Sequence, residues 1–166
     1  MITETILGAN RVEPHTKERA CARGIVVKDG KILLSYLPES DFYMTPGGGL
    51  EEGETLPECC VREIAEETGY IVKPHGDEPY FLLNKLYHEY KFINNFFICD
   101  LTGEQTEIRL TEIEKTQKLA LKWLSLDEAF DIFAHHNDYA TTNEDKRGSY
   151  LRDHTALLCA REIEAI

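Results

Sequence analysis

Between Gly48 and Tyr70 the chain reads GGLEEGETLPECCVREIAEETGY, a glycine turn that runs straight into a short segment crowded with carboxylates. Few local structures accommodate that order. Pro46 closes the short apolar run FYMT before it, and three consecutive glycines, Gly47 to Gly49, let the backbone turn sharply with its carbonyls and amides open to a ligand or ion. Thr55, followed three residues later by Glu58, makes a capping box, and Pro57 is tolerated in a first turn that needs no intrahelical N–H bond. Gly69 can take the left-handed conformation that stops a helix. The spacing predicts a helix over residues 55 to 68.

At 100° per residue, Cys60, Val61, Ile64, Ala65 and Thr68 fall on one side of that helix, and Glu63, Glu66 and Glu67 fall on another, with Cys59 projecting on the acidic side. Glu63 and Glu67 form a like-charge i,i+4 pair that weakens an isolated helix. Arg62, four residues before Glu66, can neutralise one carboxylate but not three. Oxygen ligands with open coordination positions suit Mg²⁺ or Mn²⁺, which keep waters and accept phosphate oxygens in their place. Ions so held clamp phosphate, stabilise developing charge and generate hydroxide near neutral pH. The competing reading, a solvated acidic face, has no use for a glycine turn and an arginine in register.

The remaining segments set the architecture. Residues 1 to 18 read as an edge strand or extended arm. Residues 19 to 28 and 31 to 37 read as two strands joined through Asp29-Gly30, a pair suited to the positive φ values of a tight hairpin. FYMT (42 to 45), YFLLNKLY (80 to 87), KFINNFFICDL (91 to 101) and LALKWLSL (119 to 126) are further strands. Residues 102 to 118 read as a long loop, Asp127 as the cap of a helix through Phe133, residues 135 to 149 as loop, and residues 150 to 166 as a closing helix. Strands and helices in this mixed order, with hairpins, point to an α+β fold, an α/β/α sandwich with a mixed β-sheet. A length of 166 residues suits a single domain, 1–166.

Charge narrows the partners. A formal net charge of −12 repels nucleic-acid backbones and anionic membranes, so long nucleic acid is a poor partner. No run approaches the roughly 18 apolar residues of a membrane span. The five cysteines lack C-x-x-C spacing and read as reduced thiols, and no secretion signal opens the sequence, so a cytoplasmic location is expected.

The central stretch resembles the Nudix box, G-x5-E-x7-R-E-U-x-E-E-x-G-U, where U is a bulky aliphatic residue. Gly48, Glu54, Arg62, Glu63, Ile64, Glu66, Glu67 and Gly69 stand in their places, and Tyr70 alone departs. The order of elements on either side is similar to the Nudix fold over nearly the whole chain. The resemblance implies that Glu63, Glu66 and Glu67 bind divalent ions, Mg²⁺ or Mn²⁺, with a backbone carbonyl at Gly47 or Gly48, and that Glu54 and Arg62 orient them. It implies hydrolysis of a nucleoside diphosphate linked to another moiety, by attack of water at phosphorus. The general base stays open between Glu66, Glu63 and a carboxylate from a distant loop, for which Glu112 and Glu114 are candidates; a solvated acidic loop is their other reading. Relatives also suggest a homodimer. The alternative is a regulatory module that binds a nucleotide without turnover.

Other residues carry weaker signals. Tyr87 lies 17 residues beyond the box, where relatives acting on dinucleoside polyphosphates often carry tyrosine, and Lys85 stands where a proline would suggest ADP-ribose. Cys59 and Cys60 read as packed thiols. His135, His136 and Asp138 read as solvated polar residues rather than a metal cluster, and Asn94 and Asn95, among Phe92, Phe96 and Phe97, as strand packing rather than a base pocket.

Overall fold

The chain's elements, in the computed structural model that describes residues 2–166, run as follows. β1 (Ile2–Leu7), β2 (Lys17–Lys28), β3 (Lys31–Leu37), β4 (Phe42–Met44) and β5 (Gly47–Gly49) precede α1 (Leu56–Thr68). β6 (Tyr70–Pro74), β7 (Phe81–Tyr87) and β8 (Tyr90–Gln105) lead to α2 (Glu112–Thr116). β9 (Ala120–Ser125), α3 (Leu126–Ala134), a 3₁₀ turn at His135–Tyr139 and α4 (Glu144–Glu162) complete the chain.

The sheet is mixed. Its spine runs β1-β7-β8-β2, with β1 parallel to β7, β8 parallel to β2, and β7 antiparallel to β8. β5 pairs with the middle of β2, while the end of β2 turns through Asp29 (φ 50°) and Gly30 (φ 72°) into β3, which carries β4 and β9. Alternation along the strands then builds two cores. Ala22 and Val26 of β2 join Phe97 and Cys99 of β8 against Cys60 and Ile64 of α1. Ile25 joins Phe96, Phe81 and Leu83 against Phe133, Tyr150, Ala156 and Leu157 of α3 and α4. Helices thus cover both faces, the α/β/α sandwich expected. Among the described residues no helix is long and apolar enough to cross a membrane.

The helix at the centre forms as its sequence dictates. Thr55 caps it, the reciprocal Thr55–Glu58 box is present, and Gly69 ends it at φ 76°. Elsewhere the structure corrects the expectations. The three glycines are not an open turn but a strand, Gly49, Gly48 and Gly47 pairing with Cys21, Ala22 and Arg23. β6 was not anticipated. The supposed loop of residues 102 to 118 contains the end of β8 and α2, which Thr111 and Glu114 start with a capping box. α3 starts from Ser125, boxed with Glu128, rather than from Asp127. The supposed loop of residues 135 to 149 holds the 3₁₀ turn and the first turns of α4, capped by Asn143. β1 supplies the expected edge strand, with Met1 outside the described residues.

Candidate active site

α1 presents its charged residues around one guanidinium. Arg62 Nε donates to Glu54 Oε1 at 2.7 Å and Nη2 to Glu54 Oε2 at 3.0 Å, a bidentate fork. Nη1 donates to Glu63 Oε1 at 2.9 Å and to Glu66 Oε2 at 3.2 Å, and Nη2 also reaches the Gly49 carbonyl at 3.0 Å. All five guanidinium N–H groups therefore have oxygen partners. These bonds raise the Arg62 pKa, and the same fork lowers that of Glu54.

Glu67 is placed differently. It is buried, and Ser35 Oγ of β3 donates to its Oε2 at 2.5 Å. Among the described residues no Lys, Arg or His nitrogen lies within 4.0 Å of it. Burial pushes its pKa up to about 7, against the lowering effects of Ser35 and the more distant Arg23. Burial likewise raises Glu63, although Arg62 opposes the shift. A buried carboxylate without a cation beside it, flanked by two more carboxylates, is a hard-oxygen donor set that fits a divalent ion. The side chains are not drawn into a ligand cage as they stand, since Glu63 and Glu66 turn to Arg62; among the described residues no three acidic, thiol or imidazole groups converge for an ion.

Glu63, Glu66 and Glu67 line a cavity of about 310 Å³ together with Gly48, Arg62 and Glu114. Glu114 thus reaches the acidic cavity, its Oε2 accepting the Thr111 N–H at 2.7 Å. Glu112 does not; it is exposed and pairs with Lys115 at 2.7 Å.

β5 is the ridge that bounds this cavity, and its alternation matters. A Cβ on Gly48 would stand 2.5 Å from Glu63 Cδ, on the α1 side, whereas a Cβ on Gly49 would stand 2.7 Å from Arg19 Nε, on the α4 side. Any side chain at either position would fill the space occupied by one of these charged groups. Beyond the ridge opens a second cavity, of about 600 Å³, which shares Arg19, Gly48 and Gly49 with the first.

The NUDIX domain family matches this chain over residues 18–145. The chain belongs to the NUDIX family. An ADP-ribose pyrophosphatase of Methanocaldococcus jannaschii is 51% identical over 53 residues, a match covering 30% of this chain and 31% of that protein. A putative ADP-ribose pyrophosphatase of Bacillus subtilis is 32% identical over 100 residues, covering 54% of this chain and 44% of that protein. The chain therefore spans less than half the length of these two relatives. The crystal structure of a UDP-X diphosphatase superposes with a TM-score of 0.61 at 19% identity, covering 92% of this chain and 68% of that one, a likeness of fold.

Within this NUDIX chain, the structure brings Gly48, Glu54, Arg62, Glu63, Glu66 and Glu67 together, as the box spacing requires. Cys59 and Cys60 are buried, and burial pushes the Cys59 thiol up to about 12. Cys59 does project on the acidic side of α1, as expected, but it is buried there beneath β5: its Sγ lies 3.7 Å from the Gly48 carbonyl and accepts from Arg62 Nη2 at 3.7 Å. His135 and His136 join no metal-capable group among the described residues. Asn94 and Asn95 donate to the strand carbonyls of Leu83 and Cys21, at 3.3 and 3.1 Å. Ser35 was missed by sequence reasoning, yet it carried a signal: a hydroxyl at the core-facing parity of KILLSYL, two residues from the buried Leu33. Arg19 and Arg23 were missed too. Their alternation along β2 puts them on the same face as Ile25.

Proposed function

We propose that this chain is a metal-dependent Nudix pyrophosphohydrolase that cleaves the diphosphate of a nucleoside diphosphate linked to another moiety, by attack of water at phosphorus. The observation that carries the reading is the division of labour on α1: Arg62 gives its donors to Glu54, Glu63, Glu66 and the Gly49 carbonyl, while buried Glu67 is left with Ser35. Glu63, Glu66 and Glu67, with the Gly48 carbonyl, would hold Mg²⁺ or Mn²⁺, which supplies charge for the phosphate oxygens and a more acidic water.

The protein's own groups do the rest. Glu54 anchors the Arg62 guanidinium, so that Arg62 fixes the rotamers of Glu63 and Glu66. Ser35 orients the Glu67 carboxylate. Glu114 of α2, which lines the cavity with the α1 carboxylates, would accept a proton from the attacking water; the α1 glutamates are the alternative bases. The substrate is a small molecule met in the cytoplasm, in keeping with five free, buried cysteines and a net charge of −12.

The test is a panel of ADP-ribose, a UDP-sugar, NADH, diadenosine polyphosphates and nucleoside triphosphates with Mg²⁺ or Mn²⁺. Phosphate-bearing products are measured, and ¹⁸O-labelled water reports the phosphorus attacked. Release of a labelled nucleoside monophosphate or its phosphorylated partner supports the reading. No turnover across the panel with either ion overturns it in favour of a nucleotide-binding module.

A further inference from the structure

The two sides of β5 carry opposite charge. Arg19, Arg23, Lys85, Lys146 and Arg152 all line the cavity on the α4 side. Two of them have carboxylate partners: Arg152 donates to both oxygens of Asp153, at 2.6 and 3.0 Å, and Lys85 Nζ donates to Asp145 Oδ1 at 3.1 Å and to Ser149 Oγ at 3.1 Å. The others do not. Arg23 donates to Asn94 Oδ1 at 3.2 Å and to the Thr45 carbonyl at 2.8 Å, and Lys146 to the Asp41 carbonyl at 2.7 Å. Among the described residues no carboxylate lies within 4.0 Å of Arg19, Arg23 or Lys146. In a chain of net charge −12, three cations without counter-ions in one cavity form a local reversal that a neutral sugar or base would leave unbalanced.

Lys85 shows that the cluster is built rather than incidental. Its side chain is only 5% exposed by residue. A Cβ on Gly148 would stand 2.8 Å from its Cε, so a glycine inside α4, costing about 1 kcal/mol of helix propensity, leaves the space the lysine occupies. Burial lowers the Lys85 pKa to about 8, and the charges of Arg152 and Arg23 push in the same direction while Asp145 opposes them.

Register gives the reach. Lys85 pairs with Phe92, which pairs with Arg19, so the two cations lie in one row across β7, β8 and β2. β5 lies one strand further. The Gly48–Gly49 ridge pairs with Ala22 and Cys21, two to three residues along β2 from Arg19, so the backbone of Lys85 is three strand spacings across and two to three residues along from it, roughly 16–18 Å. Arg19 lines both cavities at the ridge, whereas Lys85 lines only the one on the α4 side.

We propose that the moiety attached to the scissile diphosphate itself carries further phosphate, held on the α4 face by Lys85, Arg23 and Lys146, with Arg19 bridging the two sites. The proposal rests on the hydrolase reading for the bond cleaved and on the cationic cavity for the second anion. The extra phosphate can be a monoester on a sugar or a longer phosphate chain, and two substrate pairs distinguish these sources: ADP-ribose against ADP-ribose phosphorylated on its distal ribose, and diadenosine diphosphate against diadenosine tetraphosphate.

With Mg²⁺ present, the phosphate-richer member of at least one pair is expected to show a kcat/KM at least tenfold higher, and Lys85→Met is expected to bring that ratio towards one. Arg19→Gln, at an exposed position, reports the same loss should Lys85→Met fail to fold. Calorimetric titration of the metal-free protein with tripolyphosphate reads the cavity without turnover, and Lys85→Met is expected to weaken binding at least tenfold. Ratios near one in both pairs overturn the proposal and leave the hydrolase reading standing. If no substrate in the panel is cleaved, the hydrolase reading falls, and the titration alone decides: tripolyphosphate binding indifferent to both substitutions overturns the anion site, and weakened binding supports it.

Discussion

Gly48→Ala separates the site from the fold. Gly48 lies outside the positive-φ region, so alanine accepts its backbone, and replacing a strand glycine restricts the unfolded chain, worth about 0.4–1 kcal/mol of stability. The new methyl, however, would lie 2.5 Å from Glu63 Cδ and 2.6 Å from Oε1, where ordinary contact begins at 3.4 Å. The carboxylate must retreat by about 1 Å, which a flexible side chain can do at little steric cost. In retreating it lengthens the 2.9 Å bond from Arg62 Nη1, a charged bond of about 1.5–3 kcal/mol when buried. Stability should therefore fall by roughly 0.5–2.6 kcal/mol. A 1 Å displacement of a group that positions the reaction can cost about 100-fold in rate. The assay is kcat/KM against Mg²⁺ concentration on the best substrate of the panel, with the thermal midpoint by circular dichroism. A variant that keeps full kcat/KM refutes the placement of Glu63 in the site. One that loses activity only because it unfolds refutes the packing argument.

Glu67→Gln should lower turnover by several orders of magnitude with the fold intact, because a neutral amide can still accept from Ser35 but no longer supplies a charge; parent-rate hydrolysis with Mg²⁺ would sink the ligand assignment. Glu114→Gln should lower kcat by about 100-fold if it takes the proton from water, while Glu112→Gln, paired to Lys115 in solvent, should cost less than about twofold; equal effects would refute the distinction drawn from the cavity. Lys85→Met should raise the thermal midpoint of the ligand-free protein at pH 7. A lysine whose folded pKa is lowered from 10.5 to about 8 carries a penalty of up to about 3 kcal/mol below pH 8. The wild type recovers that stability as pH rises from 8 to 10.5, since there the unfolded state binds more protons. A gap between the two proteins that stays constant across that window would show that the ammonium is not held at a cost.

How much of this was legible beforehand depended on range. α1, its caps and the β2–β3 hairpin are written in neighbouring residues, and both were read correctly from Thr55, Glu58, Gly69 and Asp29-Gly30. β5 was not, because three glycines have no strand preference of their own and pair only because β2 offers Cys21–Arg23. The start of α4 was missed for a related reason. Its early turns bury Lys146, Ser149, Arg152 and Asp153, so the apolar period that marks a helix is absent where polar and charged residues take its place. Helical spacing also placed Glu67 on an open acidic face. It could not show that β3 brings Ser35 over that residue. The box was legible because its ligands share one helix, whereas Arg19 and Lys85 share a row only after three strands have paired.

The register of β2 explains why acid and base face each other across β5. Arg19, Cys21 and Arg23 point to the α4 side, and Ala20, Ala22 and Gly24 to the α1 side. Small residues on the α1 side let the helix approach closely: a Cβ at Gly24 would collide with Ile64 Cδ1 of α1 and touch Cys60 Sγ at 3.4 Å. The long cations on the other side line the cavity that lies between β2 and α4. A one-residue slip of β2 would exchange the two sets, driving arginines into the α1 interface and emptying the basic cavity. The same slip would remove the pairing of Gly48 with Ala22 that sets Gly48 against Glu63. One strand register therefore fixes both the carboxylate geometry of the proposed hydrolytic site and the cations of the proposed anion site, so the two cannot drift apart independently.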